Sequence, residues 1–172
     1  MKNKREYVIL VCVVIFGIAF GVLAKAGDVA VQGSIFGDLL YAFGVVSTGF
    51  FVWVAACTAI AVLSENRIWA GVNVLIFLTA MIIAYYLYSY FVVGYLVWRV
   101  VKFWLIMLIP SAILGSIVWN VRTSRVLKYT VIALGTAVMI FDMFIIQGGI
   151  AVAMVMDIVL YAVFLAFVQK AH

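Results

Sequence analysis

Six long apolar runs, separated by short polar ones, make up almost the whole chain. They cover residues 7–24, 39–63, 68–90, 100–121, 129–146 and 150–168. Each is about 18 to 25 residues long, the length an α-helix needs to cross roughly 30 Å of hydrocarbon. The pattern predicts an all-α integral membrane protein, with six transmembrane helices in a single domain over residues 1–172. In lipid a helix satisfies its own backbone hydrogen bonds, so helices of this length need no sheet partner.

The polar intervals predict how the helices connect. A basic start, with Lys2, Lys4 and Arg5, precedes an apolar run that is long for a signal sequence and lacks a small-x-small cleavage site, so it is read as a retained helix. Its Gly17 and Gly21 lie four apart and form a close-packing face suited to another helix or a partner subunit. Residues 25–38 are the longest connection, with three glycines, Lys25, Asp28 and Asp38. Asp38 stands where the N-cap of the second helix belongs, and the segment is either a lid or a plain connector. Ser64, Glu65, Asn66 and Arg67 make a tight turn. Pro110, with Ser111, Gly115 and Ser116, predicts a kink in the fourth span. Gln147, Gly148 and Gly149 close a tight pair between spans five and six. Asn73 is expected to hydrogen-bond between helices and Trp69 to anchor at an interface.

Composition agrees with this reading. The chain is 70% hydrophobic and 10% charged, against about half and about a quarter for a soluble domain. Of eleven cations, eight fall at one set of ends: Lys2, Lys4, Arg5, Arg67, Arg122, Arg125, Lys128 and Lys170. The other set has Lys25, Arg99 and Lys102. By the positive-inside rule both termini are cytoplasmic. The net charge of +5 is thus topology signalling, and no nucleic-acid partner is expected. Cys12 and Cys57 lie inside spans without metal-ligand spacing, and the one histidine is His172, so no metal site or cofactor is expected. Short loops and small size suit a multi-pass protein of a bacterial plasma membrane.

Residues 85–102, YYLYSYFVVGYLVWRVVK, carry the candidate chemistry. Tyr85, Tyr86, Tyr88, Tyr95 and Trp98 form either an interfacial aromatic belt or the lining of a pocket. Gly94 permits a bend, and Arg99 and Lys102 share one helical face. Asp142 and Asp157 lie roughly 9 and 14 Å inside the outer half, by helical rise from the turn between them. A carboxylate at such depth costs on the order of 2.5–3.5 kcal/mol and needs a partner. Arg99 and Lys102 are expected to supply it, either as structural ion pairs or as the walls of an outward-facing polar cavity.

The length, the six spans and the outer polar cluster resemble the substrate-binding S components of bacterial vitamin-uptake transporters. That resemblance implies a site toward the outer face, roofed by loops, and a first helix whose small residues meet an energy-coupling subunit. The alanine-x3-alanine pattern of that family is replaced here by Gly17 and Gly21. FGVLAKAGD and AYYLYSYFVVGY also resemble small six-span bacterial membrane proteins, a likeness that implies no activity. The expected function is a small-molecule-binding membrane component of a transport system. Its partners would be the lipid bilayer, a ligand and a separate energy-supplying subunit, since the chain has no Walker A pattern. The alternative is a non-catalytic accessory subunit of a larger membrane complex. An enzyme is not expected: Asp142 and Asp157 could form a proton-sharing dyad, but neither sits in a catalytic motif.

Overall fold

The computed structural model describes residues 2–146 and 151–171. The expected turn at residues 147–149 lies outside them. Seven α-helices follow in order: α1 Lys2–Asp28, α2 Ile35–Thr48, α3 Phe51–Leu63, α4 Arg67–Tyr88, α5 Trp98–Val118, α6 Arg125–Phe141 and α7 Ala151–Lys170. No strand occurs among the described residues. Five helical segments are long and apolar enough to cross a membrane. The pair α2–α3 makes a sixth if it counts as one broken span, its halves meeting at 73°.

Local side-chain caps fix three of the helix starts, those of α2, α4 and α6. Ser34, extended at φ −134° and ψ 152°, caps α2 by accepting from the Gly37 N–H at 3.0 Å. The expected cap, Asp38, instead sits in the first turn, and its Oδ1 accepts from the Gly33 N–H at 3.0 Å. Serine and aspartate cap equally well, so the choice falls to whichever residue has extended backbone. α1 correspondingly runs on to Asp28, which shortens the expected 25–38 connection. Asn66 caps α4 through the Trp69 N–H at 2.9 Å, and Ser124 caps α6 through Leu127 at 3.3 Å. α4 ends in a π-turn over Ser89–Val93, and Gly94, at φ +75°, turns the chain toward α5. A non-glycine residue rarely adopts that conformation. α5 runs unbroken through Pro110, and the sharp break falls between α2 and α3.

α4 is the centre of the packing, with half of its span buried against 11% for α5. α1 lies along it in parallel. A Cβ on Gly17 would stand 2.7 Å from the Phe77 carbonyl oxygen and 3.1 Å from Ala80 Cβ. One on Gly21 would stand 3.1 Å from the Tyr85 nitrogen and 3.2 Å from Ala84 Cβ. The glycine face of α1 therefore meets α4 of the same chain. α5 packs antiparallel on the other side, with Gly115 against Val74 and Gly71 against Ser116. α6 and α7 form their own antiparallel pair, tied by Thr136 to Tyr161 at 2.6 Å. At its far end the Lys128 ammonium donates to the Gln169 and Ala171 carbonyls at 3.2 and 3.1 Å.

Three apolar clusters result. Val13, Ile60, Val74 and Phe77 join α1, α3 and α4 at one end. Phe20, Val46, Met81 and Ala153 join α1, α2, α4 and α7 at the other. Phe51, Val131, Phe164 and Val168 join α3 to α6 and α7. Asn73 forms its expected interhelical bond, donating to Ser64 Oγ at 3.0 Å, and the Trp119 indole donates to the Ser64 carbonyl at 3.0 Å.

Close packing at Gly21 sets the first prediction. Gly21→Leu should lower the unfolding free energy by about 1–3 kcal/mol through overpacking against α4, measured by reversible unfolding in mixed micelles. An unchanged transition would show that α1 is not held against α4 at this position.

Candidate functional site

A helix that stops and restarts leaves carbonyls at one end and amides at the other without intrahelical partners. α2 and α3 break at Gly49 and Phe50, and several groups around the break find partners. The Gly49 N–H turns back to the Val46 carbonyl at 3.1 Å, and Thr48 Oγ1 donates to Val45 at 2.7 Å. The Trp53 indole, one turn into α3, donates to the Ser47 carbonyl at 3.0 Å. α3 has no local side-chain cap. Its Phe51 N–H donates instead to Oδ2 of Asp142, 91 residues later, where α6 passes into a π-turn over Asp142–Ile146. Asp142 is 1% exposed. Gly49 lets it come near, since a Cβ there would lie 2.7 Å from that oxygen. The carboxylate thus caps a helix N-terminus, where negative charge is favoured.

Beside the break lies a cavity of about 190 Å³. Ser47 and Thr48 line it from α2, Trp53 from α3, Tyr85 and Tyr86 from the last turn of α4, and Trp104 from α5. The Trp53 and Trp104 rings stand 5.7 Å apart at 37°, and Tyr85 meets Tyr86 edge to face at 5.1 Å. Ser47 is 3% exposed, and its hydroxyl has no hydrogen-bond partner among the described residues. Behind Tyr85, the phenol donates to Asp28 Oδ2. The Lys25 ammonium lies 3.6 Å from the same carboxylate, 3.5 Å from the phenol oxygen and 5.0 Å above the ring. Lys25 and Asp28, three apart on the last turn of α1, so form one neutral group with Tyr85.

The chain matches no protein-family model, no curated protein and no solved structure.

The residues singled out by sequence are divided by the fold. Tyr85 and Tyr86 line the cavity. Tyr88 faces away from it, into an apolar groove between α1 and α4 with Ile18, Val22, Ala80, Leu87 and Phe91. Tyr95 and Trp98 are exposed, at 67% and 68%. Arg99 and Lys102 are exposed too, and neither forms an ion pair with Asp142 or Asp157 among the described residues. The expected pairing fails for a packing reason: α5, which carries both cations, packs chiefly on α4 and α3 rather than on α6 and α7. Asp142 takes a backbone amide in place of a cation. Asp157 is buried in α7. Trp53 and Trp104 escaped the sequence reading because isolated tryptophans in apolar runs look like ordinary span residues. Ser47, Thr48 and Gly49 did carry a signal, as three non-apolar positions midway through a long run.

The cap at Phe51 should be separable from simple charge burial. Asp142→Asn keeps an acceptor for the amide, whereas Asp142→Ala leaves a buried donor unsatisfied, at a cost of about 1–3 kcal/mol. The alanine variant should therefore unfold well before the asparagine variant in the same micelle titration. Equal loss in both would assign the role to the negative charge rather than to the hydrogen bond.

Proposed function

We propose that this chain is a membrane-embedded, small-molecule-binding component of a transport system, with its site in the cavity at the broken span. The observation that carries the reading is the coincidence of that cavity with a helix break and a buried, unpartnered serine hydroxyl. Broken helices recur at the substrate sites of membrane transporters, where non-helical backbone is tolerated only beside protein or a cavity. Aromatic walls with a few polar groups are the usual lining of small-molecule sites.

Counting α2–α3 as one span gives six in one domain. α1 and α4 then cross in the same direction, in agreement with their parallel packing. Large apolar side chains such as Ile106, Ile109, Val155 and Val163 face outward, as a lipid-facing surface requires. Ser64, Trp119, Lys128 and Ala171 mark one end of the bundle, and with Arg67, Arg122 and Arg125 it holds most of the cations. That end is assigned to the cytoplasm, with both termini, in a plasma membrane. The cavity then lies toward the outer half. Energy would come from a separate subunit.

A second reading, an accessory subunit, is favoured by one feature: the apolar groove of about 550 Å³ between α1 and α4, which a neighbouring helix could fill.

Orientation is testable by cysteine labelling in a background with Cys12 and Cys57 replaced. A membrane-impermeant maleimide should label Gln32→Cys in intact cells and Thr123→Cys only after permeabilisation. The reverse pattern would invert the topology. Native mass spectrometry of protein extracted gently from its host membrane should show a small-molecule adduct, lost in the folded Tyr86→Ala/Trp104→Ala variant. A clean apo mass with stoichiometric retention of another protein would favour the accessory subunit instead.

A further inference from the structure

The cavity has a definite chemical character. Rings enter it from three helices: Trp53 on α3, Tyr85 and Tyr86 on α4, and Trp104 on α5. No carboxylate, lysine or arginine lines it. α2 ends at it, and the last turn of that helix holds no basic residue. Its last carbonyls accept from the Thr48 hydroxyl, the Gly49 N–H and the Trp53 indole, so no full positive charge stands at that helix end. Ser47 adds a buried hydroxyl that can accept or donate. The neighbouring Lys25 ammonium already lies over one of the rings, at 5.0 Å from the Tyr85 centroid, and its charge is matched by Asp28. The site's own field thus favours a cation.

Size and hydration narrow the class. A volume of about 190 Å³ is below the roughly 300–1,000 Å³ of drug-sized sites and equals about six waters at ~30 Å³ each. Aromatic faces attract cations through the ring quadrupole and suit weakly hydrated ones, as in aromatic cages for quaternary ammonium groups. They offer no oxygen shell to replace the water around an inorganic ion. We infer that the cavity binds a small alkylammonium cation, quaternary or tertiary, whose charged head sits among Trp53, Tyr86 and Trp104 and whose polar tail, where it has one, meets Ser47. This rests on the reading of the cavity as a binding site.

The test uses the full chain in lipid nanodiscs and isothermal titration with two probes of one shape, choline and its neutral carbon isostere 3,3-dimethyl-1-butanol. Choline should bind at least about tenfold more tightly, within the range of a desolvated cation–π contact. Trp104→Leu should abolish that preference, and Trp104→Phe, which keeps a π-face, should retain most of it. A merely structural role for Trp104 would change both affinities together. Equal binding of the two probes overturns the cation assignment and leaves a binding site for neutral molecules. If neither probe binds while a native adduct is retained, the cation class falls alone. If neither binds and no adduct exists, the cavity is not a ligand site and both readings fall.

Discussion

A single backbone amide, the Phe51 N–H, sets a constraint that organises much of this structure. Breaking a helix inside an apolar bundle frees amides and carbonyls that water would otherwise solvate, and in hydrocarbon each unsatisfied group costs several kcal/mol. The break between α2 and α3 persists because other elements supply what water would. Asp142 takes the amide, and Trp53 donates to the carbonyl of Ser47. The first of these comes from the far end of α6. The 73° bend between α2 and α3 is thus coupled to the position of α6. The α6 position depends in turn on the packing of Phe51, Phe164 and Val168 that joins α3 to α6 and α7.

The break is also where two packing units meet. α1, α2, α4 and α5 are drawn together by glycine contacts and by the Phe20 and Phe77 rings, which stand 6.4 Å apart. α6 and α7 hold each other through Thr136, Tyr161 and Lys128. α3 belongs to both, facing Ile60 and Ala61 toward α4 and Phe51 and Val62 toward α7. The cavity is walled by α2, α3, α4 and α5 alone, and the α6–α7 pair bears on it through the break that Asp142 supports.

The sequence made the helices legible and the site only partly so. Hydropathy marks the apolar runs because crossing lipid would demand that length and polarity of each, but it placed the fifth run at residues 129–146, whereas α6 starts at Arg125 behind the Ser124 cap. Ser47, Thr48 and Gly49 interrupt the apolar run at the break, but its 73° angle was hidden because the run resumes through Phe50, Phe51 and Val52 and periodicity carries no record of a change in axis. The burial of Asp142 was legible from the cost of a carboxylate in hydrocarbon. Its partner was not, because charge balance suggests a cation and cannot point to an amide 91 residues earlier. The tyrosine cluster was visible as a group, yet helical geometry divides it. Met81, Ile82, Tyr85 and Tyr86 form one face of α4 toward the cavity, while Ala80, Leu87 and Tyr88, followed by Phe91 in the π-turn, line the groove beside α1. Arg99 and Lys102 were assigned on charge alone, and charge says nothing about which helix lies next to which.

The placement of charge also separates scaffold from site. Asp28 is matched by Lys25 and by the Tyr85 phenol, and Asp142 is engaged by the α3 amide. Both carboxylates hold helix ends, Asp142 through Oδ2 alone, and neither lines the cavity. A cavity lined by a free carboxylate would select for protons and strongly hydrated ions, because a full charge rewards the smallest cation that can reach it. One lined by rings, a hydroxyl and a helix terminus responds to weaker fields, so shape and the ease of losing water decide what enters. On the proposed reading, selectivity would therefore come from geometry that the break itself creates, and the residues that stabilise the break would set the dimensions of the cavity without touching what it held.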